Sequence, residues 1–311
     1  MSESFRYHIG TLGEPWGDAE KQQWLAEQTV KRSYFDDVVT RIEQLRQDFS
    51  VEQYGELAYA EKVGRNYPLY LVKTKSWNDQ LPTILVTGGV HGYETSGVHG
   101  ALRFLETRAA YFEDFCNVIV APCLSPWGYE TINRWNPHAV DPNRSFLQPV
   151  APAAESGLLM QAVADVTDQL LLHIDLHETT DTDNSEFRPA LAALKGTVND
   201  NWNIPDGFYL VGDANKPELD FQRAIIAQVK QVTHIADADD SGRIIGEPLA
   251  DHGVILYDGK GAGLCMGLSN ARYVTTTEVY PDSANATPEA CIQAQVAAVE
   301  GALKFALDGI A

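Results

Sequence analysis

Leu170-Leu171-Leu172-His173-Ile174-Asp175-Leu176-His177 decides the architecture. A short apolar run of this kind implies a strand covered on both faces, as strands inside a largely parallel sheet are. Alternation then places His173, Asp175 and His177 on one side and the leucines and Ile174 on the other. A polar stripe inside an apolar strand needs a purpose, because an unpaired polar group is expensive to bury.

Working outward, the same texture repeats. Residues 56–60 and 68–73 read as strands around Gly64-Arg65-Asn66, residues 83–87 as a β-branched strand ending at Gly88-Gly89, and residues 96–112 as an amphipathic helix. Asn117–Ala121 is a buried-type strand and 155–168 a helix. Helices are expected at 217–232 and 288–307, each with proline in its first turn and Thr287 capping the second. Strands near 207–211, 253–257 and 272–280 complete the pattern. Alternating strand and helix predicts an α/β protein with one mixed, mostly parallel β-sheet sandwiched by helices. Residues 1–50 read as an N-terminal helical extension packed on the core. Asp18 is its candidate cap, and Phe35, Val38, Val39, Ile42, Leu45 and Phe49 form a three-and-four series. Residues 51–311 form the catalytic domain, and the polar segment 179–206 is expected to be a surface excursion near the site.

Composition narrows the function. Forty-three acidic against 23 basic residues give a formal net charge of −20, which repels phosphate backbones and anionic lipid surfaces. Nucleic acid and membrane are therefore excluded as partners. Met1 to Arg6 lacks the charged and apolar regions of a secretory signal, and no apolar run approaches bilayer length, so a cytoplasmic protein is expected. Cys116, Cys123, Cys265 and Cys291 show no paired spacing and read as buried, reduced thiols.

Four stretches carry candidate chemistry: His91-Gly92-Tyr93-Glu94, Asp141-Pro142-Asn143-Arg144, Asp175-Leu176-His177 and Thr276-Thr277-Glu278. His91 and Glu94 follow a strand and a glycine pair, and three-residue spacing lets both side chains converge on one ion. His177 closes the next strand. Two histidines, one carboxylate and an open position make a catalytic zinc set, whereas a structural site is closed by four ligands. Asp175 is placed to orient a ligand or the attacking water. His173 reads as part of a core hydrogen-bond network. Glu278 is a lone carboxylate near the end of a β-branched strand and suits a general base. Asn143 and Arg144 match capture of a free carboxylate, and Arg134 an oxyanion.

This ordered set resembles the zinc metallocarboxypeptidase family M14. The resemblance covers roughly residues 81 to 281. It implies a zinc carboxypeptidase-like fold, one Zn2+ on His91, Glu94 and His177, and Glu278 as general base. It further implies Arg134 at the oxyanion, Asn143 and Arg144 on the substrate carboxylate, and Tyr257 as a mobile substrate-capping tyrosine. Leu264, Cys265 and Met266 would then line a side-chain pocket of apolar preference. The sequence departs from the family's digestive members at Tyr93, at Ser125-Pro126-Trp127-Gly128 and at Pro142. The expected reaction is hydrolysis of a C-terminal peptide bond, on a peptide or N-acyl amino acid carrying a free carboxylate. Asp175-Leu176-His177-Glu178-Thr179-Thr180 is also similar to the aspartoacylase and succinylglutamate desuccinylase branch. Those enzymes deacylate N-acyl amino acids and carry a further β-domain, for which too little chain follows Glu278. Murein-peptide amidase activity and a peptide- or metal-binding protein without turnover are the other readings; an intact general base argues against the last.

Overall fold

The computed structural model describes residues 7–308. The segment read against a secretory signal, Met1 to Arg6, lies outside the described residues. In chain order the elements are α1 (Asp18–Ala26), α2 (Thr40–Gln44), β1 (Phe49–Leu57), α3 (Ala60–Val63), β2 (Tyr67–Thr74), β3 (Thr83–Gly88), α4 (Thr95–Thr107), β4 (Asn117–Ala121), α5 (Pro126–Thr131), α6 (Ala154–Ala162), β5 (Leu170–Glu178), α7 (Arg188–Lys195), β6 (Tyr209–Asp213), α8 (Leu219–Val229), a small hairpin of β7 (Arg243–Ile244) and β8 (Glu247–Pro248), β9 (Val254–Tyr257), β10 (Tyr273–Val279) and α9 (Pro288–Asp308).

Eight strands form one mixed sheet in the order β1-β2-β4-β3-β5-β10-β6-β9. The centre, β4-β3-β5-β10, is parallel throughout, and β6-β9 is a further parallel pair; β1-β2, β2-β4 and β10-β6 are antiparallel. This is the expected α/β sandwich. The chain moves from β3 outward to β4 and then returns past β3 to β5. The carboxyl ends of β3 and β5 therefore flank a switch point, where open α/β sheets bind ligands.

The alternation read from β5 holds from residue 172 onward, but not for all the leucines: Leu170 packs in the second core, Leu171 against the first. Leu172, Ile174 and Leu176 pack in the core that includes α4 and α9 residues, while Leu85 and Val274 belong to the second core on the opposite face. Helix α9 spans 21 residues, and by length and composition it could cross a membrane. That corrects the expectation that no apolar run approaches bilayer length. Here 61% of its most apolar stretch is buried inside the fold, because Ala294, Ala298, Ala302 and Leu303 serve the core.

The N-terminal region differs in detail from the reading. Helix α1 starts at Asp18, one residue after the cap Gly17, whose amide donates to Glu20 at 2.9 Å. The apolar series from Phe35 is not one helix: a π turn (Phe35–Val39), α2 and a 3₁₀ turn (Leu45–Gln47) follow one another, and Phe49 already begins β1. A residue every third or fourth place also suits this succession, so the spacing alone did not separate them. Tryptophans join this region to the rest: Trp24 lies 5.9 Å from Trp127 and 5.5 Å from Trp135, centroid to centroid. Segment 179–206 carries structure of its own, a π turn (Asp183–Phe187) and α7. All four cysteines are buried and free.

Candidate metal centre

Three adjacent parallel strands deliver the site. β3 ends at Gly88 and the chain turns through His91 to Glu94, which sits at the N-terminal boundary of α4. Gly89 takes φ +59, and at Gly92 an added Cβ would lie 2.1 Å from the Tyr129 amide, so the loop is pressed onto α5 with room for glycine only. The Ser125 hydroxyl donates to the Val90 carbonyl at 2.6 Å, which gives the divergent Ser125-Pro126-Trp127-Gly128 a task in backing this loop. Arg32, from the N-terminal region, donates to the Gly92 carbonyl at 2.9 Å and stacks 3.6 Å over the Tyr129 ring.

His91, Glu94 and His177 converge. Their ligand-type atoms lie within 4.8 Å of one another, and all three residues are buried. The Glu94 carboxylate bridges the imidazoles, 2.7 Å from His91 Nδ1 and 2.6 Å from His177 Nδ1. Each ring is fixed from behind: His91 Nε2 is 2.9 Å from Asp141, and His177 Nε2 is 2.7 Å from Asp175. A carboxylate behind each imidazole is how metal-binding histidines are oriented and made more basic. Asp175 is itself held by the Thr87 hydroxyl at 2.6 Å. No fourth histidine, cysteine, aspartate or glutamate joins the group among the described residues. Two imidazoles and a carboxylate with one side left open fit a divalent metal of the catalytic type.

The protonation balance agrees with that set. Burial works to raise the Glu94 carboxyl, but His177 and His91 outweigh it and hold it well below its ordinary value. Burial works to lower His177, and Asp175 and Glu94 reverse this and raise it well above. Without a metal, the group thus stores a proton on His177, which metal binding would release. His173 behaves differently. It is fully buried, 3.1 Å from the Thr87 hydroxyl, and burial lowers it to about 4. It is a core imidazole, as read, but the expected network is made on one side of the ring only, since Nδ1 has no hydrogen-bond partner among the described residues.

The centre opens onto a cavity of about 530 Å3. Glu278, Arg134, Asn143, Arg144 and Tyr257 all line it with His91, Glu94 and His177, so the expected ligand, base and substrate-binding residues meet in one place. Glu278 is the register partner of His177 across the β10-β5 pair. Thr179 donates to it at 2.9 Å, and burial pushes its carboxyl up to about 8 against the pull of His177. Arg134 is held by Asp141 at 3.1 Å and by Asp183 at 3.5 Å, with its Nη1 3.4 Å from the Tyr93 hydroxyl. Asn143 is braced through its Oδ1, which accepts from the Cys265 amide at 2.7 Å, and its Nδ2 lies 3.4 Å from His177 Nε2. Arg144 is exposed in the cleft, donates to the Asn143 carbonyl, and forms no ion pair among the described residues. Leu264 alone of its expected trio lines the cavity; Cys265 and Met266 are fully buried, which removes the ground for an apolar preference.

Several working residues carried no role in the sequence reading. Asp141, quoted only as part of its motif, ties His91 to Arg134. Its short side chain also caps the following turn through the Asn143 amide at 2.8 Å, the Asx habit that could have marked it. Glu178 accepts from the Thr95 and Ser96 amides at 3.1 and 2.7 Å and so clamps the start of α4 to the end of β5. Tyr93 donates to Asp183 at 3.0 Å, linking the metal loop to segment 179–206. Arg188 in that segment also lines the cavity, and no local pattern announced it.

No protein-family model and no curated protein matches the chain. Solved structures do. A "putative metallopeptidase" from Shewanella denitrificans OS217 superposes with a TM-score of 0.64 at 19% identity, over 90% of this chain and 96% of that one. A metallo-carboxypeptidase from Burkholderia cenocepacia gives 0.59 at 14% identity, over 96% of this chain and 70% of the other. Carboxypeptidase A from Helicoverpa armigera gives 0.56 at 12% identity, over 99% and 77%. With its mixed sheet, its flanking helices and a His-Glu-His group at the switch point, the chain has the fold of the metallo-carboxypeptidases.

Proposed function

We propose that this protein is a zinc-dependent hydrolase that cleaves a C-terminal peptide bond, on a substrate carrying a free carboxylate. The observation that carries the reading is the convergence of His91, Glu94 and His177 on one point, each imidazole backed by its own aspartate, at the floor of an open cavity. These three residues would hold the ion. A bound zinc supplies Lewis acidity toward the scissile carbonyl and acidifies a coordinated water.

The chain's own groups do the rest. Glu278 accepts a proton from the attacking water and returns it to the leaving nitrogen, and its raised affinity for protons suits a base that must also act as an acid. Arg134, immobilised by Asp141 and Asp183, offers Nη2 to the developing oxyanion; only its Nε and Nη1 are engaged among the described residues. Preorganised donors need no rearrangement when that charge appears. Arg144, an unpaired guanidinium, receives the terminal carboxylate, with Asn143 fixing the backbone that presents it. Tyr257 lies partly exposed at the cavity wall, where a phenol can close over a bound peptide.

N-acyl amino acid deacylation and murein-peptide amidase activity use the same floor. A panel of blocked dipeptides, N-acyl amino acids and murein tripeptides separates them, alongside metal analysis. Peptide turnover is expected with one zinc per chain. In Glu278→Gln, kcat is expected to fall about 10²–10⁴-fold while the zinc content stays the same. Undiminished turnover by that variant with metal in place would remove Glu278 as the base, and absence of turnover on the whole panel would leave a binding protein.

A further inference from the structure

The outer wall of the cavity carries cationic side chains that form no ion pair among the described residues. Arg188, at the start of α7, lines the cavity together with Lys195, Asn199, Asn201, Ile245 and Tyr257. Its Nη1 donates to the Asn184 side-chain oxygen at 2.7 Å, to the Asn203 carbonyl at 3.0 Å and to the Asn201 carbonyl at 3.2 Å. All three acceptors are neutral. Nε and Nη2 have no hydrogen bond to the described residues, and Arg188 forms no ion pair among them. In a chain of net charge −20, carboxylates are plentiful, so a half-buried guanidinium stapled only by amide and carbonyl oxygens is an arrangement that keeps its charge available. Lys195 at the other end of α7 is likewise without a carboxylate among the described residues.

The position of this charge is informative. Burial pushes the Tyr257 phenol up to about 12, with Glu247 and Glu278 acting the same way, while Arg144 and then Arg188 pull it down. Both guanidiniums therefore lie within electrostatic reach of one hydroxyl. Arginine's planar fork suits a carboxylate, and a substrate with one carboxylate can satisfy only one of the two.

We propose that the released residue is a dicarboxylic amino acid, its α-carboxylate on Arg144 and its side-chain carboxylate on Arg188, with Lys195 adding to the field at the entrance. The assignment rests on the hydrolase reading above and names its substrate class. It also replaces the apolar preference inferred from residues 264–266.

The test compares matched pairs: a blocked dipeptide ending in glutamate against one ending in glutamine, and N-acetylglutamate against N-acetylglutamine, each with the zinc-loaded enzyme. Glutamate is expected to exceed glutamine in kcat/KM by about tenfold or more, through KM, as a charge-assisted bond predicts. The peptide and N-acyl arms show which source supplies the acidic residue. Arg188→Gln, which keeps a donor for the loop carbonyls, is expected to abolish the glutamate advantage by lowering kcat/KM for the glutamate substrate about tenfold more than for the glutamine one; Lys195→Ala is expected to reduce the advantage only in low salt. Calorimetry of free glutamate and glutamine with the metal-free protein gives a readout independent of turnover. Equal binding and equal turnover of the two would overturn the subsite while leaving the hydrolase intact. Equal losses for both substrates in Arg188→Gln, with a lowered Tm, would reduce Arg188 to a loop staple and also overturn it. Preferential, Arg188-dependent glutamate binding without turnover on any substrate would uphold the subsite and sink the hydrolase.

Discussion

The floor and the outer wall of the cavity handle charge in opposite ways. On the floor, each ionised group lies against an opposite one: Glu94 between two imidazoles, Asp141 between His91 and Arg134, and Asp175 behind His177. On the wall, Arg144 and Arg188 are held by carbonyl and amide oxygens and form no ion pair among the described residues. A compensated cluster is rigid, because removing one member leaves a buried charge uncovered. An uncompensated cation stays ready for an anion from outside. The difference separates a part of the molecule that is preset from a part that is completed by substrate.

The comparison can be broken most severely on the floor. His177→Ala removes a ligand atom and also strands Asp175 and Glu94 as buried carboxylates; loss of bound zinc by atomic absorption and loss of turnover are both expected. If that variant retained stoichiometric zinc, the three-residue centre would be the wrong one. Asp141→Ala is a milder break. It leaves all three ligand residues but frees the His91 ring and one side of Arg134, and a 10–100-fold weaker zinc affinity, roughly the usual effect of losing such an orienting group, is expected in a competition titration with a chelator. Unchanged affinity would show that the floor does not depend on its backing carboxylates.

Arg144→Ala tests the wall. A KM increase of about 10–100-fold, the scale of a lost charge-assisted bond, is expected for a free-acid peptide. A C-terminally amidated analogue should be unaffected, since it has no carboxylate to lose. Equal effects on both would mean that Arg144 shapes the cleft without reading charge.

The smallest effect is a pH dependence of the metal-free protein. Glu278 is raised from 4.5 to about 8 in the fold, so between those values the native state holds a proton that the unfolded chain has released. Its contribution to stability is full below about pH 4.5 and is lost as pH rises through about 8. Stability of the metal-free protein should therefore decline over that window relative to Glu278→Gln, which does not titrate. The relative decline is expected to be on the order of 1–3 kcal/mol, since a tenfold change in proton affinity corresponds to about 1.4 kcal/mol and water in the cleft screens part of it. Denaturant melts at matched pH values read it directly, and parallel curves for the two proteins would show that Glu278 ionises normally.

Part of the floor was legible in the chain because Asp175, His177 and Glu278 belong to strands, and His91 and Glu94 follow one. Period-two alternation in 170–177 and 273–279 fixes which side chains share a face, and strand ends in a parallel sheet fall together by construction. That is why His177, Glu278 and the turn after β3 could be read as neighbours, and why the bounds of the central strands came close, whereas the strand expected at 56–60 is β1, Phe49–Leu57, with α3 starting at Ala60. The 35–49 series was misread as a single helix because three-and-four spacing does not distinguish one α-helix from a π turn, a short helix and a strand in succession. The apolar pocket at 264–266 failed for a related reason. Distance after Tyr257 locates a segment, but Cys265 and Met266 turn into the core.

The sequence by itself determined the α/β alternation, the polar stripe of β5 and a donor set suited to a metal, since each depends on residue type and on periodicities of two or a few residues. Only the tertiary structure decided that Asp141 stands behind His91, that Glu178 clamps α4 to β5, and that Arg188 lines the same cavity as Arg144 without an ion pair among the described residues. Those relations join residues from separate elements, and no local period encodes a contact that forms only when the sheet closes.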